Sequence, residues 1–205
     1  MSTERPDQSL RTEGFQDFVR GTFGNGVQNI YVSRGGSLQR IHQFDFTCNG
    51  YVDLVFCNSQ SHFEKPDARV LSDPLGESRY RGLRSHGCRA AAVADLNGDG
   101  YDDLILGSFK DGLATDLNAM IYYGSPGGLT ENYHIELPAP GCTAVAAGDF
   151  DGDGKIDIAF LTRGKLRLFY QTPLGFELKK FQDLDLEGQQ LNAFEIGRAS
   201  CRASG

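Results

Sequence analysis

Three short acidic segments of the chain repeat nearly the same spacing of oxygen-bearing side chains. The segments begin at Asp45, Asp95 and Asp149, and each places such side chains at its positions 1, 3, 5 and 9. These side chains are ligands of hard divalent cations, and calcium accepts about 6–8 oxygens in flexible geometry. Carboxylates this close would otherwise oppose one another's ionisation. The spacing predicts calcium loops, which we call loop 1 (45–53), loop 2 (95–103) and loop 3 (149–157).

The predicted ligands are four side chains in each loop together with the backbone carbonyl of position 7. More ligand charge gives tighter binding, and the ligand positions carry four carboxylates in loop 3, three in loop 2 and two in loop 1. We therefore expect two calcium sites, with loop 3 at least as tight as loop 2, and a doubtful third in loop 1, where a turn without metal is favoured. The strong candidates are Asp95, Asn97, Asp99, Tyr101, Asp103, Asp149, Asp151, Asp153, Lys155 and Asp157, and the weak ones are Asp45, Thr47, Asn49, Tyr51 and Asp53.

Single positions in the loops exclude two other kinds of site. An EF-hand needs a bidentate glutamate at position 12, where loops 2 and 3 have Leu106 and Phe160. A phosphate-binding loop needs serine or threonine after its lysine, but Ile156 follows Lys155, and the neighbouring carboxylates would repel a phosphate. Calcium is therefore the expected ion.

The segments around the loops indicate short β-strands in a fixed order. A small, apolar segment precedes loops 2 and 3, an apolar segment follows each loop, a third segment ends in a Pro/Gly turn, and a fourth alternates polar and apolar residues. Four short strands per unit, with loop starts 50 and 54 residues apart, are typical of propeller blades. We predict an all-β fold, a partial β-propeller of about four blades. Each blade is expected to have four antiparallel strands, with its loop between the first and second.

The repeat period also divides the chain into segments. We predict a disordered N-terminal segment at 1–13, propeller repeats over 14–194 and a non-native tail at 195–205, where the strand pattern breaks. The repeat units are expected at 14–44, 45–94, 95–148 and 149–194. A fourth loop would fall just beyond the last unit, so we expect the chain to be a truncated piece of a longer repeat protein.

The composition is that of an ordinary globular domain, with 40% hydrophobic and 23% charged residues. A formal net charge of −7 without a lysine or arginine run argues against nucleic acid and anionic membranes as partners. No apolar stretch reaches the roughly 18 residues of a membrane span. The five cysteines match no zinc pattern and leave the disulfide pairing open, and Cys88 and Cys142 are expected to be small buried residues.

The loop pattern carries a family resemblance. The sequence Asp-x-Asn/Asp-x-Asp-Gly-x-x-Asp, preceded by Ala-Val-Ala and followed by an apolar strand, resembles the FG-GAP/VCBS repeat over about residues 40–180. This is the calcium-loop repeat of integrin α-subunit propellers and of many bacterial secreted or surface proteins. The resemblance implies structural calcium and a secreted, periplasmic or cell-surface location, although the N-terminus shows no signal-peptide core.

These observations predict a non-catalytic calcium-binding scaffold that acts as an interaction module for an unknown protein or glycan ligand. No catalytic residue is expected, since the loop carboxylates are committed to metal and no nucleophile–base arrangement stands out. One alternative is a propeller lectin with Tyr122, Tyr123 and Tyr133 as sugar platforms, because tryptophan is absent. Another is part of a larger propeller enzyme, of glycosidase or lyase type, whose active site lies outside this chain. The oligomeric state stays open.

Overall fold

The computed structural model describes residues 15–23, 28–33, 38–46, 53–60, 67–72, 79–110, 114 and 116–186. The regular elements in this part of the chain are all β-strands, which confirms the predicted all-β fold. No helix within these ranges is long and apolar enough to cross a membrane. The predicted N-terminal segment at 1–13 and tail at 195–205 lie outside the described residues.

Fourteen strands lie within the described ranges, and three of the connections between them are loops 1, 2 and 3. The strands are β1 (Phe15–Phe23), β2 (Gln28–Ser33), β3 (Leu38–Phe44), β4 (Asp53–Gln60), β5 (Ala68–Ser72), β6 (Arg79–Leu83), β7 (Cys88–Ala94), β8 (Asp103–Ser108), β9 (Asn118–Tyr122), β10 (His134–Pro138), β11 (Ala144–Gly148), β12 (Asp157–Thr162), β13 (Lys165–Phe169) and β14 (Gln182–Asp185).

The strands form three antiparallel sheets in which sequence neighbours pair. The second sheet is β7–β10, the third is β11–β14, and the first contains β1–β6. Strands β3–β6 repeat the four-stranded order of the other two sheets, while the β1–β2 hairpin extends the first sheet beyond β3. The predicted unit boundaries, including a separate unit at 14–44, stay a prediction.

Each loop joins the first strand of a four-stranded set to the second, as predicted. Loop 1 joins β3 to β4, loop 2 joins β7 to β8, and loop 3 joins β11 to β12. The first strands β7 and β11 pack against one another, and their runs of alanine allow this close approach. Every residue of the second strands β8 and β12 is buried, because neighbouring strands cover their edges and packed side chains cover their faces.

Alternate residues of β8 supply two different cores. Leu104 and Leu106 pack with Val55 and Leu83 of the first sheet, whereas Ile105 packs with Phe160 of the third sheet. Successive side chains of a strand point to opposite faces, so the second sheet is sandwiched between its two neighbours. Sheets packed face to face in this series make the predicted partial β-propeller, and the architecture is confirmed.

The cysteines that the structure describes belong to these cores. Cys57, Cys88 and Cys142 are fully buried free thiols, as expected for Cys88 and Cys142 from the sequence. Burial raises the pKa of Cys142 to about 12, which keeps this thiol protonated at neutral pH.

Candidate metal centre

The turn of loop 2 is built around the carboxylate of its first aspartate. Asp95 Oδ1 accepts hydrogen bonds from the backbone N–H groups of Gly98 (2.8 Å) and Asp99 (3.1 Å), and Oδ2 accepts one from Gly100 (2.9 Å). One side chain therefore curls the following five residues around itself. This is an Asx-type turn in which the carboxylate replaces the backbone acceptors that a strand would supply.

Glycines at positions 4 and 6 make this turn possible in both loops. Gly98 and Gly100 have φ values of +73° and +89°, and Gly152 and Gly154 have +81° and +86°. Side-chain-bearing residues rarely adopt this left-handed region, while glycine enters it without steric cost. The repeat pattern specifies glycine at position 6, and loops 2 and 3 also have glycine at position 4, where loop 1 has Cys48.

Two hydrogen bonds link Asn97 and Asp99 in the middle of loop 2. The N–H of Asp99 donates to Asn97 Oδ1 (3.0 Å), and Asn97 Nδ2 donates back to Asp99 Oδ2 (2.9 Å). The other oxygen, Asp99 Oδ1, accepts from the N–H of Tyr101 (2.9 Å). The Asn97 amide thus donates a hydrogen bond to the Asp99 carboxylate, which no basic residue of loop 2 neutralises.

Loop 3 reproduces the same backbone frame with different side chains. Asp149 Oδ1 accepts from Gly152 N (2.7 Å) and Oδ2 from Gly154 N (2.9 Å). Asp151 Oδ1 then accepts from Asp153 N (3.1 Å), as Asn97 does from Asp99 in loop 2. The repeated motif therefore folds in the same way in both loops.

Three carboxylates of loop 3 converge at the surface. One oxygen each from Asp149, Asp151 and Asp153 lies within 4.8 Å of the others, and all three residues are exposed. Two oxygens bound to one calcium ion at about 2.3–2.6 Å from it are at most about 5 Å apart, so the three atoms can bind one ion together. Among the described residues, no other set of three acidic, histidine or cysteine side chains converges this closely.

A lysine of loop 3 contacts this cluster. The ammonium of Lys155 pairs with Asp153 Oδ2, and the Lys155 backbone N–H donates to Asp153 Oδ1 (2.8 Å). The hydrogen bond to Lys155 lowers the pKa of Asp153, and the same bond raises the pKa of Lys155. Lys155 is therefore an internal counter-ion for the carboxylates when no cation is bound.

The aspartate at position 9 of loop 2 is buried and faces the interior of the sheet. Asp103 has no exposed surface. Its Oδ2 accepts from Leu96 N (2.9 Å) and its Oδ1 from Gly124 N, just after β9 (2.7 Å). Asp103 thus ties the start of loop 2 to the end of the third strand.

The other loops repeat this arrangement. Asp157 Oδ2 accepts from Phe150 N (2.9 Å) and Oδ1 from Gln171 N (2.8 Å), and Asp157 is also fully buried. In loop 1, Asp53 Oδ2 accepts from Phe46 N (2.8 Å). Each carboxylate oxygen can accept more than one bond, so these contacts leave lone pairs for a cation.

Burial changes the acidity of two carboxyl groups in loop 2. Desolvation raises the pKa of Asp103 from 3.8 to about 7, against the lowering effect of its hydrogen bonds from Gly124 and Leu96, and the charges of Asp99 and Asp95 raise it further. The pKa of Asp102 rises to about 6, mainly through burial. Ionisation of Asp102 and Asp103 is therefore unfavourable in loop 2 unless a cation is bound nearby.

The structure brings the strong candidates of each loop into one turn, although their role as ligands stays a prediction. Tyr101 and Lys155 occupy position 7, the predicted carbonyl ligand, and the Tyr101 side chain is exposed. In loop 1, Asp45 and Asp53 are described, whereas Thr47, Asn49 and Tyr51 lie outside the described residues.

Residues 95–160 match the family described as FG-GAP-like repeat. The matched span begins at Asp95, the first residue of loop 2, and ends in β12, so it contains both complete loops and the strands between them. No curated protein matches the chain.

Proposed function

We propose that this propeller is an interaction module stabilised by calcium in loops 2 and 3, and the match of residues 95–160 to the FG-GAP-like repeat family supports this proposal. The convergence of Asp149, Asp151 and Asp153 carries the proposal, since their oxygens already lie at separations that one calcium ion spans. Asp157 and the carbonyl of Lys155 complete the set in loop 3. Loop 2 offers the corresponding residues, with Asn97 as a neutral oxygen ligand.

Bound calcium would supply positive charge where each loop concentrates negative charge. The chain's own residues shape the loops and anchor them to the sheets. Asp95 and Asp149 shape the turns, and the buried Asp103 and Asp157 fix each turn to the third strand of its sheet. A cation held by both kinds of aspartate would join the first, second and third strands of a sheet. Its expected effect is therefore stability rather than chemistry.

Exposed aromatic side chains near the loops support an interaction role. Tyr101 and Phe150, which lie within loops 2 and 3, are 42% and 37% exposed, and Tyr133 is 50% exposed. Aromatic side chains are enriched at the centres of protein interfaces, because they bury large area with few rotatable bonds. We propose a protein or glycan ligand for this end of the sheets and a non-enzymatic role for the chain.

A lectin is the second candidate, and one pair of rings favours it. The rings of Tyr123 and Tyr133 lie 5.0 Å apart between centroids, with Tyr133 half-exposed. Tyr122, by contrast, is fully buried and its hydroxyl donates to the Arg84 carbonyl, so its predicted role as a sugar platform is wrong. Glycan-array binding that Tyr133→Ala abolishes would support the lectin. Binding that survives this change would exclude the pair as a platform.

The proposed location is secreted, periplasmic or on the cell surface. It rests on the family's calcium loops and on the high calcium concentration outside the cytoplasm, where modules with dissociation constants of about 0.1–1 mM are occupied. Fractionation of the source cells would test this proposal. Recovery in the cytoplasm would contradict it.

Calorimetric calcium titration of the full chain, with melting curves in calcium and in chelator, tests the main proposal. We expect two sites and a melting temperature that rises with calcium concentration. Asp153→Ala should weaken binding more than Asn49→Ala, since loop 1 is the weakest predicted site. Absence of calcium binding at millimolar concentration would overturn the proposal, and equal effects of the two substitutions would overturn the ranking.

A further inference from the structure

One glutamine of the third sheet contacts both loops. Gln171 follows β13, and its backbone N–H donates to Asp157 Oδ1 of loop 3 (2.8 Å). Its side-chain Nε2 crosses to the second sheet and donates to the carbonyl of Leu96 in loop 2 (2.6 Å). These two residues are 75 positions apart in the chain. Backbone and side chain of a single residue thus bridge the two predicted calcium loops.

The contact continues into the position-9 aspartate of loop 2. Leu96 is buried, and its N–H donates to Asp103 Oδ2 (2.9 Å). An unbroken path therefore runs from Asp103 through Leu96 and Gln171 to Asp157. Both ends of the path are predicted ligands, and the hydrogen bonds along it are 2.6–2.9 Å long.

The orientation of the Gln171 amide is fixed by loop 2. Its Oε1 is buried and has no hydrogen-bond partner among the described residues. Turning the amide over would place this oxygen against the Leu96 carbonyl, with two acceptors facing each other. The bond from Nε2 to the Leu96 carbonyl therefore selects this orientation of the amide.

We propose that Gln171 couples the two loops, so that a divalent cation bound in loop 3 raises the affinity of loop 2, and the reverse. This coupling rests on the proposed calcium binding. An ion in loop 3 would order Asp157 and with it the backbone of Gln171. The ordered amide then holds Leu96 and Asp103 in place before an ion enters loop 2, which lowers the entropic cost of the second binding step. Linkage requires the effect to be equal in both directions.

The corresponding residue of the second sheet cannot act in this way. Gly124 donates to Asp103 as Gln171 donates to Asp157, but it has no side chain. A Cβ atom built on Gly124 would lie 2.4 Å from the Asp102 carbonyl oxygen, so a side chain is excluded there. Gly124 therefore provides no side-chain bridge of the kind that Gln171 makes.

Terbium luminescence offers a test that distinguishes loop 2 from loop 3. Terbium is a calcium-sized probe that a nearby tyrosine sensitises, and position 7 is Tyr101 in loop 2 but Lys155 in loop 3. Tyr101→Phe should remove most of the signal and so verifies the assignment. With loop 3 disabled by Asp153→Ala, we expect the terbium affinity of loop 2 to fall about five-fold.

In a Gln171→Leu background the same disabling change should leave the affinity of loop 2 unaltered. Gln171→Asn, whose shorter amide does not reach Leu96, should behave likewise and guards against a folding defect in the leucine variant. Gln182→Leu is the matched control, because Gln182 lies in β14 of the third sheet and its side chain accepts a hydrogen bond from the Tyr170 hydroxyl (3.0 Å), outside loops 2 and 3. A five-fold fall in all backgrounds, or in none, would overturn the coupling.

A second experiment separates failure of the coupling from failure of metal binding. If neither loop binds terbium or calcium, the proposed function fails, and the path can still be tested in chelator. We expect Asp103→Asn and Asp157→Asn to be non-additive, with an unfolding constant that differs at least about two-fold from the product of the single effects. The two changes should become additive in Gln171→Leu. Additivity in both backgrounds would overturn the path itself.

Discussion

Loops 2 and 3 share a backbone frame but neutralise their charge in different ways. In both, the first aspartate accepts N–H groups at positions 4 and 6, and the last aspartate is buried. Their charges differ at three positions: position 3 is Asn97 or Asp151, position 7 is Tyr101 or Lys155, and position 8 is Asp102 or Ile156. Positions 1, 4, 6 and 9 therefore build the turn in both loops, whereas the positions that differ set the charge of each loop.

The number of ligand carboxylates is not the only factor in the calcium affinities of loops 2 and 3. Loop 3 has one more ligand carboxylate than loop 2, but it also has Lys155 paired with Asp153. A calcium ion entering loop 3 must displace that ammonium, whereas loop 2 has only the Asn97 amide to reorient. We therefore expect the two sites to be closer in affinity than the carboxylate count suggests.

The largest effects are expected at position 9, which belongs to the shared frame. Asp103→Ala leaves the buried N–H groups of Leu96 and Gly124 without their acceptor, so it should lower the free energy of unfolding by about 3 kcal/mol in chelator. Asp157→Ala should cost less, because the N–H groups of Phe150 and Gln171 are only partly buried. Urea unfolding measures this. Asp95→Ala is the control, because its partners lie in an exposed turn where water can replace the carboxylate. A loss for Asp103→Ala no greater than for Asp95→Ala would contradict the assigned role.

Exchanging position 3 between the loops should move their affinities in opposite directions. Asn97→Asp adds a ligand charge to loop 2 and should tighten calcium binding about ten-fold, while Asp151→Asn should weaken loop 3 by a similar factor. Calorimetric titration of each variant gives the result. Shifts of the same sign in both variants would show that position 3 acts through the turn and not through charge.

Loop 2 should also lose stability as pH rises in the absence of metal. The folded-state pKa of Asp103, about 7, lies above its ordinary value of 3.8, so the protonated form favours the fold. Its contribution is greatest below about pH 4 and declines as pH rises through 7, by about 1 kcal/mol between pH 6 and 7. Unfolding curves in chelator should show this slope. Asp103→Asn should remove it, and an unchanged slope would contradict the assignment.

The smallest effect is expected at position 7. Lys155→Gln removes the competing ammonium and should tighten calcium binding in loop 3 about three-fold, with a smaller gain at high salt because the pair is exposed. Tyr101→Lys is the mirror change and should weaken loop 2 by a similar factor. If Lys155→Gln instead weakened binding, the lysine would be helping to shape the site rather than competing for it.

The sequence predicted those features of the fold that local spacing determines. The loop repeat located the strands on either side of it, and the small, apolar segments before loops 2 and 3 are strands β7 and β11. The position of the β1–β2 hairpin was not predictable in this way, because its pairing with β3 depends on contacts outside the repeat pattern.

The second role of the position-9 aspartates was missed for a similar reason. Their partners after the third strand lie 21 residues away for Asp103 and 14 for Asp157. Gln171 was missed because its partner in loop 2 belongs to another sheet, and no local pattern marks a glutamine as a bridge. The sequence thus identified the candidate ligands, whereas the contacts that hold them required the packed sheets.

The buried aspartate at position 9 means that the acidic motif is not a self-contained unit. Asp103 reaches its full set of partners only when β9 has paired with β8 and brought Gly124 alongside. A synthetic peptide of residues 95–103 would contain every predicted ligand of loop 2. Its calcium binding would be weaker, because the peptide loses conformational entropy on binding that the folded protein has already lost. The nine residues therefore specify which ion is preferred, and the surrounding strands determine whether it is held at a useful concentration.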